Sequence, residues 1–545
     1  MIANMLRDLC IVVLLSCCLL LPFIGKAFHV DDPLFVWSAS HLLSNPLDPF
    51  SVEVNWAGKN ELMWDQMKNP PLVPYYEALG IRLLGDSEIA LHLWCLPLTV
   101  GAAISMYFLS RRYTRRPLWP TLALVFCPAF LVSATSVMAD IPALFFFLTG
   151  LLLFEEGTDR DRHMFLAIGA ACLGFAALAK YLAVGGFGLA AIYVILHKRS
   201  RAMPILLWLI IPLGMFGLWG VYGILEHGKA HFALATSLRL DTLGWSPLIS
   251  GLVCTFSFIG GCAVFPVIFV WAILKRWWVR GVCFVFGLSG CIAVKLLFSS
   301  RAGLPWQNYV ALFLFISTGV ALVWLAVRGL REPKAQDWHL KAWLLGVFVF
   351  CAFLNWTVNA RTVLFLMPPT SLLLWIEMEK QRSSWLRSLL CISIGITLMV
   401  AVLVTATDYR MANSYRSEAQ SVRRRGNGEV YFPNHWGFQY YMEKKGFQLL
   451  VPGVVQPKVT DLVVAAEHAS GPSTWLNDVP GAKLSRVRSS DWPLRLHTMN
   501  FWAGAGFYSN IWGPLPYGFG PSVIVRFPYY EISTVASSPL MRDSR

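Results

Sequence analysis

The chain is a succession of apolar runs, each close to the length that carries an α-helix across a bilayer core. About thirteen such runs start near residues 9, 90, 118, 141, 163, 182, 204, 248, 280, 308, 342, 362 and 386, each of roughly 20 residues. Backbone amides in hydrocarbon find no water, so a spanning segment must bond within itself. The period-2 alternation of a membrane barrel is missing, which leaves helices. Composition agrees: 56% of the 545 residues are hydrophobic and 14% charged, against about a quarter charged in soluble domains. The expected fold is mainly α and polytopic. Residues 9–25 read as a retained first helix, because Arg7 stands beside Asp8 and no small-x-small cleavage site follows the run.

Orientation follows from the connections. With the N-terminus in the cytoplasm, the cytoplasmic connections are RRYTRR (111–116), EEGTDRDRH (155–163), HKRSR (197–201), KRWWVR (275–280), REPKAQDWHLK (331–341) and EKQRSSWLR (379–387). All six carry Lys or Arg, as the positive-inside rule asks. An odd number of spans then puts the C-terminal tail outside, in the periplasm if the membrane is a bacterial inner membrane. Most of the net charge of +14 sits in these loops. The basic residues form no single patch, so nucleic acid is not an expected partner. The twelve cysteines all lie at or before Cys391, and neither 28–88 nor the tail after Tyr409 holds one. Disulfides and thiolate metal sites are not expected.

Three parts are expected outside the cytoplasm. The first is the long loop 28–88, too long for a simple connection. The second joins Glu226 to Pro247. The third is the tail. Turn signals such as RRRGNGEVYF and GPLPYGFGP, with short runs DLVVAA and SVIVRF, predict a small α/β domain. The division is thus a membrane domain over 1–407, with 28–88 as its working loop, and a C-terminal domain over 408–545.

Several polar residues stand where apolar runs end. Asp31 and Asp32 directly follow the first helix. A carboxylate near hydrocarbon is costly and is a functional candidate. Burial and a like-charged neighbour would raise the pKa of one of the two, which suits a general base; the same residues also suit a solvated Asp-Pro turn. Asp140 either caps the helix that starts at Ile141-Pro142 or serves a site. Lys180 either snorkels to the interface or holds a lipid phosphate. Arg239, Arg301 and Arg361 are cations on the outer side, where topogenic rules do not place them, and an Arg fork matches phosphate oxygens. Asn69, Pro70 and Pro71 close the first long loop, as a stiff re-entry or a plain turn. His227 and His231 are spaced i, i+4 beside Glu226, which would put two metal ligands on one helix face or simply make an amphipathic helix. Phosphate loops, dinucleotide fingerprints and nucleophile elbows are missing.

Together these residues resemble the membrane glycosyltransferases of the C-type (GT-C) fold. Within them they resemble the bacterial family that groups lipid A aminoarabinose transferases with protein O-mannosyltransferases, which is dolichyl-phosphate-mannose mannosyltransferase-like. The family's acidic pair followed by an aromatic is matched by Asp31-Asp32-Pro33-Leu34-Phe35, and its Pro-Pro-Leu element by Asn69-Pro70-Pro71-Leu72. Asp140, Lys180 and Arg361 with Pro368-Pro369 match further family positions. Where the family often has a His, or a Glu-Lys pair, before Pro-Pro, this chain has Lys68-Asn69; where it has an aromatic after the Arg, this chain has Thr362. Tyr431 to Tyr441 is similar to segments in bacterial members, and its aromatics either stack on sugars or fill a small core.

The resemblance implies inverting transfer from a polyprenyl-phosphate sugar, undecaprenyl-based in a bacterium, to an acceptor hydroxyl on a lipid, a glycan or a protein. It implies Asp31 as base, Asp32 and Asp140 as positioning or charge-stabilising groups, and Lys180, Arg361 and Arg301 at the donor phosphate. Asn69, Pro70 and Pro71 would position the acceptor or the loop. No cofactor is required, and a divalent metal stays open. Three other readings remain beside it: a lipid-linked glycan ligase or polymerase, a transporter or flippase of lipid-linked sugars, and a non-catalytic membrane scaffold for the tail, in which Asp31 and Asp140 are replaceable.

Overall fold

The computed structural model describes residues 2–56, 58–234, 245–297, 303–330, 337–381, 383–424, 426–451, 454–469, 479 and 481–533. All the apolar runs read from the sequence are helical. Among the described residues, seven helices are long and apolar enough to cross a membrane: Ile2–Phe23, Glu88–Tyr113, Asp140–Arg160, Arg199–His227, Trp277–Leu297, Trp306–Arg328 and Ser384–Ser421. An eighth is counted if Pro247–Ala263 and Pro266–Ile273, bent by 99°, form one span. The other runs are shorter or broken, as in His163–Ala179, Tyr181–His197 and Trp338–Leu354. The chain is a polytopic membrane protein.

The breaks have local causes. The run near 118 splits into Leu118–Val125 and Pro128–Ser133, because a proline disfavours helical backbone at the residue before it. Cys127 is extended there and its Sγ caps the second piece through the Phe130 N–H. Close helix packing uses small residues, as in other membrane bundles. Asp140–Arg160 lies so near His163–Ala179 that a Cβ at Gly169 would sit 2.6 Å from the Phe154 nitrogen.

The long loop 28–88 is folded. It contains the helix Asp32–Leu42, a hairpin pairing Glu53–Asn55 with Asn60–Leu62, a turn of helix at Met63–Gln66, and the helix Leu72–Leu84 that starts directly after Pro71. The tail is α/β. Its five-stranded sheet runs in the order Gln448–Leu449, Val430–Phe432, Leu462–Val464, Val523–Ile532, Ala482–Asp491. The first three are parallel, joined in part through the helix Trp436–Lys444, and the long last two are antiparallel. The boundary expected at Asp408 falls inside the final helix, which continues unbroken to Ser421. That extension carries the sheet: Tyr415 packs against Phe438 and Phe527 with ring centroids 6.1 and 6.2 Å away.

One buried ion pair joins these parts. Lys26 Nζ lies 2.6 Å from Asp408 Oδ2, and both side chains are fully buried. Lys26 follows the first membrane helix and Asp408 lies in the last. Asp408 also accepts from Tyr508 (2.8 Å) and Thr498 (2.9 Å) in the tail, and Lys26 donates to Thr135 Oγ1 at 3.3 Å. Burial lowers the His29 imidazole to about 4 despite the nearby Asp408, so it stays neutral and Lys26 supplies the counter-charge. Removing one partner of such a pair leaves an uncompensated buried charge, at a cost of about 3–5 kcal/mol. Asp408→Asn should therefore lower the thermal unfolding temperature in detergent, followed by tryptophan fluorescence. The double variant Lys26→Met, Asp408→Leu should regain most of it. Unfolding temperatures equal to wild type for the single variant would show that the pair does not hold the parts together.

Candidate active site

Asp31 is positioned by a strained turn. Val30, just before it, has φ 50°, a left-handed conformation that a β-branched residue rarely adopts. The neighbours hold it there. The Phe28 N–H donates to Tyr441 Oη at 2.8 Å, and the Asp32 N–H to the His29 carbonyl at 3.1 Å. Asp32 itself is fully buried. Its Oδ2 accepts from the His29 N–H at 2.8 Å and its Oδ1 from the Val137 N–H at 3.0 Å. The carboxylate of Asp32 thus fastens the Asp31 turn to the connection before Asp140. Burial raises its carboxyl to about 7, with Lys26 and the two backbone bonds opposing and Asp31 adding slightly.

Asp140 is the first residue of its helix, but its side chain does not cap it. It pairs instead with Lys180 Nζ. Lys180 is extended (φ −153°, ψ 128°) where His163–Ala179 ends and a short 3-10 turn begins, and this break turns its ammonium inward. Arg361 is the second residue of the helix Ala360–Val363, whose start is capped by Asn359 Oδ1 accepting from the Thr362 N–H at 2.8 Å. Its Nη2 donates to Asp31 Oδ2 at 3.0 Å, its Nη1 lies 4.0 Å from Asp140 Oδ2, and it sits over the Tyr508 ring at 5.4 Å. Four residues far apart in sequence thus form one charge-balanced cluster of two carboxylates and two cations. The Asp31 side chain keeps 29% of its surface exposed and Asp140 only 3%, so Asp31 is the acid that a ligand can reach.

The cluster lies in the wall of a cavity of about 980 Å³. Phe216, Phe353 and Leu354 make an apolar side from the membrane helices, extended by Phe232 of the connection after Gly228. Phe350 to Leu354 is a π-helical stretch, a distortion common at functional sites. Trp56, Met67, Lys68 and Asn69 come from the loop 28–88, and Trp436, Phe501, Tyr508 and Trp512 from the tail. The tail is locked there. The Ala360 N–H donates to the Phe507 carbonyl at 2.8 Å, and the Val358 N–H to Asn510 Oδ1 at 2.9 Å. Gly437 leaves no room for a side chain, since a Cβ would meet the Phe28 carbonyl oxygen at 2.1 Å.

The structure sorts the residues singled out in the sequence. Asp31, Asp140, Lys180, Arg361 and Asn69 line the cavity. Asp32 does not line it, and Pro70 and Pro71 are buried ahead of Leu72–Leu84. Burial lowers the Lys68 ammonium, whose Nζ donates to the Asp65 carbonyl. Arg239 and Arg301 lie outside the described residues. His227 and His231 do not share a helix face, because the helix ends at His227 and Gly228 turns the chain with φ 71°. His227 stacks on Trp64 (3.8 Å, 17°), and His231 Nδ1 bonds the Tyr181 hydroxyl at 2.6 Å. Burial, with Lys68 nearby, lowers His231 to about 4. No group of three or more His, Cys, Asp or Glu fit to hold a metal occurs among the described residues. Sequence reasoning missed Lys26, Asp408 and Tyr508. The signal for the first two was present, as opposite charges where the first and last apolar runs end.

Comparison with known proteins agrees with the resemblance seen in the sequence. Residues 68–221 match the family model of dolichyl-phosphate-mannose-protein mannosyltransferase. That segment is less than a third of the chain and includes Asn69, Asp140 and Lys180, but not Asp31 or Arg361. No curated protein matches. Among solved structures, ArnT from Cupriavidus metallidurans in the apo state is similar at 14% identity and a TM-score of 0.44, covering 87% of this chain and 96% of that one. ArnT bound to undecaprenyl phosphate scores 0.43 at 16% identity, over 89% and 96%. The archaeal oligosaccharyltransferase AglB from Archaeoglobus fulgidus, in complex with an inhibitory peptide and a dolichol-phosphate, scores 0.42 at 12% identity, over 80% and 63%. Likenesses this distant carry no residue roles.

The two adjacent aspartates should separate by experiment. Asp32→Asn would set an amide N–H₂ against one of its two backbone N–H donors. That costs about 1–3 kcal/mol and should lower the unfolding temperature. Asp31→Asn, at a half-exposed position, should unfold within a degree or two of wild type. The reverse order would assign the structural role to Asp31.

Proposed function

We propose that this protein is a glycosyltransferase that moves a sugar from a polyprenyl phosphate, undecaprenyl phosphate in a bacterium, to an acceptor hydroxyl, with inversion. The reaction would take place at the outer face of the inner membrane, and the tail would be periplasmic. The observation that carries this reading is the cluster of Asp31, Asp140, Lys180 and Arg361 in a cavity with one apolar side built by membrane helices. A lipid carrier needs an apolar surface for its chain and cations at its phosphate. A group transfer needs a base that the acceptor can reach. The cavity offers all three within one pocket.

The charge balance suggests how the parts work. A sugar phosphodiester brings one negative charge, and Arg361 can turn its fork from Asp31 toward the phosphate, leaving Asp140 neutralised by Lys180. Asp31 is then free to take the proton as the acceptor oxygen attacks the anomeric carbon. The bond from that carbon to the phosphate oxygen breaks with its electron pair on the phosphate, and polyprenyl phosphate departs. Fixed cations in a water-poor site favour that developing charge over the ground state. Aromatic side chains of Trp56 and the tail would keep water from competing with the acceptor.

The test is release of undecaprenyl phosphate by purified protein given a panel of undecaprenyl-phosphate sugars and a crude envelope acceptor fraction. Wild type should release it. Asp31→Asn should lose about 100-fold or more, the scale of a lost general base. Arg361→Gln should lose about 10²–10³-fold, the scale of a lost electrostatic donor. No release from any donor by folded wild type would move the reading to a ligase of longer lipid-linked glycans or to a flippase. Full activity of Asp31→Asn would move the base to another group.

A further inference from the structure

A second pocket of about 550 Å³ lies between the hairpin of the loop 28–88 and the tail helix Trp436–Lys444. Its volume is within the usual range for small-ligand sites. The wall between it and the large cavity is thin. Asn55 ends the first hairpin strand and lines the second pocket; Trp56 follows it and lines the large cavity. Adjacent positions of one chain segment thus line both cavities, and this stretch acts as a partition. Trp37, on the second-pocket side, meets Trp56 edge to face at 5.9 Å.

The polar groups of the partition are not all used by the fold. Asn55 is only 9% exposed. Its Oδ1 accepts from the Gly58 N–H at 3.0 Å, while its Nδ2 is buried without a hydrogen-bond partner. A buried amide donor left unpaired costs free energy, and here it belongs to a residue of a pocket wall. Gln439 is spent on holding the partition, donating to the Asn55 carbonyl at 3.0 Å and to Glu443 Oε1 at 2.8 Å. The lining includes the carboxylates Glu53 and Glu443 and no Lys or Arg. An indole, an unpaired amide donor and carboxylate acceptors suit a ring with one apolar face and several hydroxyls. The charge disfavours anions.

We propose that this second pocket binds a sugar residue of a glycan that carries no anionic group, one thin wall away from the reaction centre. That this glycan is the acceptor rests on the transferase reading above. The binding itself does not, so it is measured without transfer. Full-length protein in nanodiscs would be probed by saturation-transfer NMR with neutral di- to tetrasaccharides of glucose, mannose, galactose and N-acetylglucosamine, and with an oligogalacturonate as the anionic control. At least one neutral saccharide should bind, and the oligogalacturonate about tenfold more weakly or not at all. Asn55→Asp keeps the acceptor for Gly58 but removes the donor. It should weaken binding about tenfold, the scale of one hydrogen bond, in protein whose tryptophan fluorescence shows it folded. Trp37→Leu should weaken it as well. Absence of binding by every neutral saccharide, equal binding of the oligogalacturonate, or wild-type affinity in Asn55→Asp would each overturn the assignment. Saccharide binding lost in Asn55→Asp, in a protein that releases no undecaprenyl phosphate, would uphold the pocket and refute the transferase reading.

Discussion

The pair between Lys26 and Asp408 is the constraint on which the rest depends. Each ion leaves water at a cost of several kcal/mol, which its partner offsets only with good geometry and further hydrogen bonds. Tyr508, Thr498 and Thr135 supply those bonds. Satisfying the pair therefore requires the end of the first membrane helix, the last membrane helix, the tail and the turn after Pro128–Ser133 to meet at one point. Lys26 stands five positions before Asp31, and Tyr508 lies over Arg361. The structural pair and the cavity cluster thus share a residue, and fixing one narrows the positions open to the other.

The two sets of charges are built for different ends. Lys26 and Asp408 are sealed, and nothing in solution can compete for them. Asp31, Asp140, Lys180 and Arg361 are graded, from a nearly sealed Asp140 to a partly open Asp31. A guanidinium shared between two carboxylates has a low barrier to exchanging one of them for another anion, since its fork can serve several oxygens. Asp32 belongs with the sealed set although it touches Asp31 in sequence. It bonds backbone on both sides and holds the strained Val30 turn. Adjacent carboxylates have been separated into a support and a reachable acid by helix geometry alone.

What was legible in the sequence follows the same division. Apolar runs of spanning length announced the helices, because burial in lipid permits few other patterns. Charges at the ends of those runs announced Asp31, Asp140, Lys180 and Arg361, since such charges are expensive unless used. Their mutual pairing was not legible, because it needs the tertiary approach of segments hundreds of positions apart. Breaks at Lys180 and before Pro128 shorten some of the runs, and the first of them aims Lys180 into the cavity. His227 and His231 misled because spacing presumes a continuous helix, and Gly228 ends it. Asp408 was read as a boundary because hydropathy falls there, yet the helix runs on for more than three turns.

The aromatics of the tail divide between a core and the wall of the cavity. Phe432, Phe438 and Phe527 fill a core against Tyr415, while Trp436, one residue before the close approach at Gly437, lines the cavity. Trp436 has φ 64°, a conformation costing of order 1–3 kcal/mol for a residue with a side chain. Both it and Val30 are strained, both line the same cavity, and the two segments are bolted together where Gly437 meets Phe28. The same contact thus fixes both strained residues in the wall of the cavity.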